Sequence, residues 1–313
     1  MSTLLVTGGA GFIGSHLCEK LLLMGYGVIC LDQFNDSYEP DLKRSNIQKA
    51  LRHSNYKLVE GDILDGDLVE SIIKQSDTEA IVHLAALAGV RRSILTPLDY
   101  IDTDIKGTVT LLEACKRVGV KKFIFASSSS VYGTAASPFR EEDTPGIQTS
   151  PYAAAKYSGE LYCRTYSLLY GIQTVCLRFF TVYGPRQRPD MAIHIFTKAI
   201  SEDREICIYG DGSSSRDYTY VDDIVDGIIS SIRLQCDFEV INLGNSSTVN
   251  IKSLVEVIEA KLSKIANIHF SPEQQGDVPA TCADISKAVS LLGYAPKVKL
   301  EEGNEKFVQW YKK

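Results

Sequence analysis

Thr7-Gly8-Gly9-Ala10-Gly11-Phe12-Ile13-Gly14 follows the apolar run Leu4-Leu5-Val6. It opens a stretch in which Ile13, Leu17, Leu21 and Met24 recur at helical spacing. Strand, glycine turn and helix, in that order, set the fold class. Glycine lets the backbone turn tightly and approach a pyrophosphate, and a helix N-terminus favours the negative charge. The spacing is Gly-x-x-Gly-x-x-Gly rather than the commoner Gly-x-Gly-x-x-Gly. Asp32 ends the second apolar run, eighteen residues after Gly14. A carboxylate there can accept both hydroxyls of an adenosine ribose and would repel a 2′-phosphate, so NAD is favoured over NADP. Gly8, Gly11, Phe12, Ile13, Gly14 and Asp32 are therefore candidates for a dinucleotide site. The competing reading is a glycine turn with no ligand.

Outward from this turn, short apolar runs alternate with amphipathic stretches. Strands are expected at 4–7, 28–31, 56–60, 80–84 and 123–127, with a helix between each consecutive pair. Helices are expected at 14–24 and at 100–118, where Ile101, Ile105, Val109, Leu112 and Cys115 form one stripe. A long helix at 152–170 and a strand at 174–179 follow. Such alternation builds an α/β fold, a Rossmann-type doubly wound parallel sheet covered on both faces. After Gly184 the texture changes: Pro185, Pro189, the polar run 210–215 and a polar loop at 272–279 separate shorter elements. We therefore expect residues 1–178 to form the dinucleotide domain, with 216–245 returning to it. Residues 179–215 and 246–313 are expected to form a smaller, mostly helical substrate domain over the carboxyl edge of the sheet.

Composition limits the function classes. The chain has 313 residues, 44% hydrophobic and 23% charged, with a net charge of −6, which argues against a general nucleic-acid binder. No apolar run approaches the roughly 20 residues of a membrane span, and Met1-Ser2-Thr3 lacks the basic start of a signal peptide. Eight scattered cysteines without a Cys-x-x-Cys pair suggest a reducing, cytoplasmic setting and no metal site. His16 and His83 fall near the glycine turn and are expected to be packed residues rather than ligands.

A second signal lies at Tyr152-Ala153-Ala154-Ala155-Lys156, the only Tyr-x-x-x-Lys among sixteen tyrosines. Four-residue spacing puts both side chains on one helical face. A neighbouring cation favours the phenolate, as acid–base work requires. The bland alternative is a solvated lysine one turn from a partly buried tyrosine. Asp62-Ile63 follows the third strand, where an adenine edge would lie. His83-Leu84-Ala85-Ala86 ends the fourth, where small residues let backbone approach a cofactor.

Taken together, these segments resemble the extended short-chain dehydrogenase/reductases, in particular the NAD-dependent nucleotide-sugar epimerases and dehydratases. Ser127–133, Phe179-Phe180-Thr181-Val182-Tyr183-Gly184-Pro185, Arg216-Asp217-Tyr218 and Val221-Asp222-Asp223 also match, so the resemblance covers essentially the whole chain. It implies that Tyr152 takes the proton of a sugar hydroxyl while hydride passes from the same carbon to NAD. It further implies that Lys156 holds the nicotinamide ribose and that Ser128 hydrogen-bonds the reacting oxygen. A homodimer is common in such proteins. One departure stands out: Asp104-Ile105-Lys106-Gly107-Thr108 replaces the usual Asn-Val-x-Gly-Thr.

The same resemblance narrows the reaction. Dehydratases of the group carry Asp-Glu after the catalytic Thr, where this chain has Ser129-Ser130. Decarboxylases usually place Glu where Ser130 stands. Epimerisation needs only Tyr152, Lys156, Ser128 and NAD. Phe34-Asn35-Asp36-Ser37-Tyr38 with Leu42-Lys43, Arg188-Pro189-Asp190-Met191-Ala192, and Gly276-Asp277-Val278-Pro279 resemble UDP-glucuronate 4-epimerases. Thr181 stands where neutral-sugar epimerases usually have Asn. Ser129, Thr181 and Arg91 are candidates for the sugar carboxylate, Arg216 for the diphosphate and Asp277 for the uridine ribose, with Arg186 a further substrate-binding candidate. Ile195, where many bacterial relatives have a basic residue, argues the other way. A UDP-glucose or UDP-N-acetylglucosamine 4-epimerase is the alternative. A decarboxylase or a non-catalytic NAD-sensing protein ranks below it.

Overall fold

β1 (Thr3–Thr7) shows why the sheet is buried on both faces: Leu4 and Val6 pack into one apolar cluster and Leu5 into another. The computed structural model describes residues 2–143, 146–274 and 278–313. After β1 come α1 (Phe12–Leu23), β2 (Gly27–Asp32), α2 (Pro40–Asn46), β3 (Tyr56–Glu60), α3 (Gly66–Ser76) and β4 (Thr78–His83). Then follow α4 (Val90–Leu95), α5 (Pro97–Tyr100), a π-helical turn (Ile101–Lys106), α6 (Gly107–Val118), β5 (Lys122–Ser128), α7 (Pro151–Tyr170) and β6 (Gln173–Phe179).

The second part holds β7 (Thr181–Tyr183), α8 (Ala192–Ser201), β8 (Ile206–Tyr209), β9 (Ser215–Tyr220), α9 (Val221–Arg233), β10 (Phe238–Leu243) and β11 (Thr248–Asn250). It ends with α10 (Ile251–Leu262), β12 (Ile268–Ser271), α11 (Ser286–Leu292) and α12 (Leu300–Tyr311).

Seven strands form one sheet in the order β10-β6-β5-β4-β1-β2-β3, and every neighbouring pair is parallel. This is the doubly wound fold, as expected. The strand order reverses between β1 and β4, so their carboxyl ends open the crevice in which such sheets bind ligands. The expected strands are all present, β3 with the bounds expected and the others within two residues of them. β10 returns to the large sheet beside β6, while β7, β9 and β11 form a three-stranded sheet and β8 and β12 a two-stranded one.

One expectation needs correction. Residues 100–118 are not a single α-helix but α5, the π turn and α6. The apolar positions 101, 105 and 109 are four apart, a spacing that an i+5 turn accommodates as readily as an α turn. Two glycines meet close constraints. A Cβ on Gly8, at φ +68°, would sit 2.7 Å from the Ala85 nitrogen. One on Gly14 would sit 2.2 Å from the Gly8 carbonyl oxygen, so α1 could not pack down on β1. No described helix is long and apolar enough to cross a membrane.

Candidate active site

A cleft of about 240 Å³ opens at the β1–β4 switch. Its walls include Gly8, Gly11, Phe12, Ile13, Gly14, Asp32, Ile63, Leu84, Ala85, Ala86, Tyr152 and Lys156, twelve of the thirteen residues expected at the dinucleotide. The thirteenth, Asp62, serves its own turn: its carboxylate accepts the Leu64 N–H at 2.9 Å. The N-terminus of α1 has no side-chain cap on Gly11 and no acid in its first turn, which leaves its positive end to the cleft. Asp32 is held rigidly, Oδ2 accepting from Ala10 N–H at 3.1 Å and Oδ1 from Phe34 N–H at 3.0 Å.

Opposite the glycine turn stand three cations that sequence reasoning did not assign to this cleft. Lys43 is buried and donates to the Asn35 carbonyl at 2.7 Å. Arg92 donates to the Ser37 carbonyl at 3.3 Å, and Arg188 to Asp190 at 2.7 and 2.9 Å. All three line the cleft, as do Asn35, Ser37 and Tyr38. The Tyr38 hydroxyl is buried without a hydrogen-bond partner, 4.0 Å from where a Gly11 Cβ would lie. Burial pushes its proton affinity up, so it stays a neutral donor. A free helix end, an orphaned phenol and three cations fit a dinucleotide diphosphate. The segments at 34–38 and 188–192, which resemblance ties to the substrate class, thus line this first cleft, beside the glycine turn. Their polar residues come from separate loops and carry no periodic signal.

At the other end of the cleft α7 presents Tyr152 and Lys156. Ser150 caps this helix, its hydroxyl accepting the Ala153 N–H at 3.1 Å, and Pro151 supplies a pre-set first turn. Lys156 is 3% exposed; its Nζ lies 5.3 Å from the Phe125 ring, 5.9 Å from the Tyr152 ring and 3.6 Å from Asp104 Oδ2. Tyr100 meets Tyr152 edge-on at 6.1 Å and donates its hydroxyl proton to the Gly89 carbonyl at 3.0 Å. His83 bridges Thr7 Oγ1 at 2.8 Å and Thr108 Oγ1 at 3.1 Å. Burial, helped by the Lys156 charge, pushes its pKa down to about 3, so it is a neutral packed residue. His16 is also packed: Nε2 meets the Pro185 carbonyl at 3.0 Å, and burial lowers its basicity.

A second cleft, about 140 Å³, is lined by Ser129, Ser130, Thr149, Thr181, Arg216 and Thr281 among others. The end of β5 divides the two clefts: Ser127 faces the first, Ser129 and Ser130 the second. Ser128 lies between them, 8% exposed, its Oγ accepting the Ser130 N–H at 3.1 Å. Behind it, Ser127 donates to Glu160, and Arg178 grips both Glu160 oxygens at 2.9 and 2.8 Å. Arg216 donates to the Ser215 carbonyl at 2.9 Å and lines this cleft. Two expected substrate residues lie elsewhere. Arg186 pairs with Glu19 on α1 at 2.7 Å, and the Arg91 guanidinium stacks over the Tyr209 ring at 5.0 Å, next to cleft residue Val90. Asp277 falls outside the described residues.

A Rossmann sheet with a dinucleotide cleft and an adjoining hydroxyl-lined cleft defines an extended short-chain dehydrogenase/reductase. More specifically, the chain belongs to the family described as GDP-mannose 4,6 dehydratase, whose profile matches residues 5–307. It is 42% identical to a UDP-glucuronate 4-epimerase of Thermodesulfobacterium geofontis, over 100% of this chain and 97% of that one. Among solved structures it resembles UDP-glucuronic acid 4-epimerase from Bacillus cereus in complex with UDP-glucuronic acid and NAD. The TM-score is 0.94 and the identity 40%, with 99% of each chain covered. UDP-glucose 4-epimerase from Thermotoga maritima with UDP-glucose follows at TM-score 0.92 and 36% identity, covering 99% of this chain and 98% of that one.

Proposed function

We propose that the protein is an NAD-dependent isomerase that inverts C4 of UDP-glucuronate, giving UDP-galacturonate through a transient 4-keto sugar. The observation that carries this reading is the makeup of the second cleft. Its described lining offers the hydroxyls of Ser129, Ser130, Thr149, Thr181 and Thr281 and the cation Arg216, but no carboxylate. Such a wall can hold a uronate without repelling it, and it has no acid to drive off water. The relatives named as UDP-glucuronate 4-epimerases support the same substrate.

When bound, NAD supplies the reversible hydride acceptor that a C4 inversion needs. Gly8, Gly11, Phe12, Ile13 and Gly14 would hold its diphosphate with Arg188, Arg92 and Lys43, and Asp32 its adenosine ribose. Tyr152 takes the C4 hydroxyl proton and later returns it. Lys156 favours the phenolate and orients the nicotinamide ribose, and Ser128 hydrogen-bonds the reacting oxygen. Arg216 binds the substrate diphosphate, and Asp277 the uridine ribose.

A 4-keto uronate is a β-keto acid. It loses carbon dioxide when the breaking C–C bond aligns with the carbonyl π system. Fixed hydrogen bonds from Thr181 and Ser129 keep the carboxylate out of that alignment.

The eight free cysteines fit a cytoplasmic enzyme. Exposed Leu161, Tyr162, Leu168 and Leu169 on α7, with Leu95 and Leu98 on α4 and α5, which pack against α7, fit a homodimer. Sedimentation at several concentrations tests the dimer. The function is tested by incubating the protein with a panel of UDP-sugars and separating the products. Turnover of UDP-glucose without turnover of UDP-glucuronate would move the assignment to a neutral-sugar 4-epimerase.

A further inference from the structure

Asp104 is 1% exposed, yet only one of its oxygens is hydrogen-bonded. Oδ1 accepts the Leu87 N–H at 2.7 Å, on the segment that carries the cleft residues Leu84, Ala85 and Ala86. Oδ2 has no hydrogen-bond partner and lies 3.6 Å from Lys156 Nζ. The main chain there is equally fixed, because Thr108 Oγ1 donates to the Asp104 carbonyl at 2.6 Å. The π turn between α5 and α6 carries this residue. Such turns are frequent at functional sites.

A half-bonded carboxyl of this kind adds little to the fold. A buried polar atom without a partner costs free energy. What it does supply is charge, next to the lysine that faces Tyr152. The other groups around this point are few. From β4 comes His83, neutral in its cage of threonines. From α5 comes Tyr100, whose pKa is pushed up to about 12 by burial and by Asp104. Arg188 interacts electrostatically with Tyr152 and Tyr100, and Arg92, on α4, with Tyr100. Lys156 and Arg188 are the cations that act on Tyr152. Asp104 is the one anion within 4 Å of Lys156 among the described ion pairs.

We infer that Asp104 is a positioning residue that sets, through Lys156, the pH at which Tyr152 can accept the substrate's proton. Ionised, it offsets the lysine charge and moves the working range upward from where the Tyr-Lys pair alone would put it. A neutral side chain of the same shape keeps the Leu87 hydrogen bond and removes the offset. This inference rests on the proton-acceptor role proposed for Tyr152.

The test is Asp104→Asn, read in two ways. The acid limb of kcat/KM for UDP-glucuronate should move to lower pH by about one unit, the size expected for a charge at this distance under protein screening. The plateau rate should change less than about threefold. Independently of turnover, the ultraviolet signal of tyrosinate, isolated by subtracting the Tyr152→Phe protein, should titrate earlier in Asp104→Asn by a similar interval.

An unmoved or upward-moved midpoint in a folded, NAD-retaining variant would overturn the inference. Asp104→Ser provides a second neutral variant. If both lose the fold or the cofactor, Asp104 is a structural support and the inference fails. A shifted tyrosinate signal with no turnover of any UDP-sugar would instead leave Asp104 in place and overturn the proposed reaction.

Discussion

One helix carries two buried ion pairs a single turn apart, and they are built in opposite ways. At Glu160 the pair is closed: Arg178 grips both carboxylate oxygens, Ser127 adds a third bond, and the guanidinium lies 4.6 Å from the Tyr132 ring centre. At Lys156 the pair is open: 3.6 Å, one contact, and a carboxylate oxygen with no hydrogen bond. Both pairs are almost fully buried. A closed pair has its charges neutralised by geometry and can do little but hold the frame. An open pair keeps a lysine's field available to the tyrosine one turn before it. Tyr152, Lys156 and Glu160 thus follow one face of α7, with the cleft at its start and the closed pair behind.

The largest effect expected from this contrast is on stability at the closed pair. Glu160→Ala leaves Arg178 buried and uncompensated, with one guanidinium nitrogen already lacking a partner. It should cost about 3–5 kcal/mol in urea unfolding. A loss below about 1 kcal/mol would remove the distinction between the two pairs.

Next comes Tyr152→Phe. Taking away the proton acceptor should slow epimerisation by about 10²-fold or more, equivalent to ~2.7 kcal/mol of barrier, with the melting temperature kept. Near-normal turnover would remove Tyr152 from the mechanism.

The contrast extends into the substrate cleft, where Thr181 supplies a single hydroxyl. Thr181→Val keeps its shape, but loses one hydrogen bond to a charged group, worth about 1.5–3 kcal/mol. Carbon dioxide released per epimerisation should rise, with a pentose by-product. An equal ratio in wild type and variant would show that other residues restrain the carboxylate.

The smallest effect is a pH dependence of stability. Burial pushes the Asp104 carboxyl above its ordinary 3.8, so the folded chain binds this proton more tightly than the unfolded one. Its contribution is full below the unfolded value and fades as pH rises through the folded value. Asp104→Asn removes that fade. The melting temperature of the variant relative to wild type should therefore be higher at pH 7 than at pH 4. No change in the difference would mean that Asp104 meets water more freely than its surroundings indicate.

What the sequence makes legible here follows from periodicity. Runs such as Leu4-Leu5-Val6 and Val28–31 are apolar on both faces, because helices cover both sides of the sheet. The glycine turn is readable because Gly8 and Gly14 meet backbone that no side chain could approach. Tyr152 and Lys156 are legible because one helix carries both. The closed pair is not: Glu160 and Arg178 meet across α7 and β6, and nothing local joins them. The cationic wall of the first cleft, Lys43, Arg92 and Arg188, assembles from α2, α4 and the loop before α8, far apart in sequence. The π turn is hidden because the stripe through Ile101, Ile105 and Val109 runs on unbroken, and Asp104 stands out only as a departure from the usual Asn, with nothing local to show that it is buried.

The π turn also makes the chain intolerant of an edit that would look like an improvement. Shortening 101–106 by one residue would restore ordinary α hydrogen bonding and straighten the path from α5 into α6. It would also remove the wide turn that carries Asp104, while leaving α5 and α6 in nearly the same angular relation, because an i→i+5 turn takes up one extra residue within a single turn. The Asp104 carboxylate would then lose its alignment with Lys156, while Tyr100, its Gly89 contact and the apolar stripe stayed largely intact. A more regular, better-folded protein with a misaligned proton path is the expected product. Selection for stability alone would push this segment away from function.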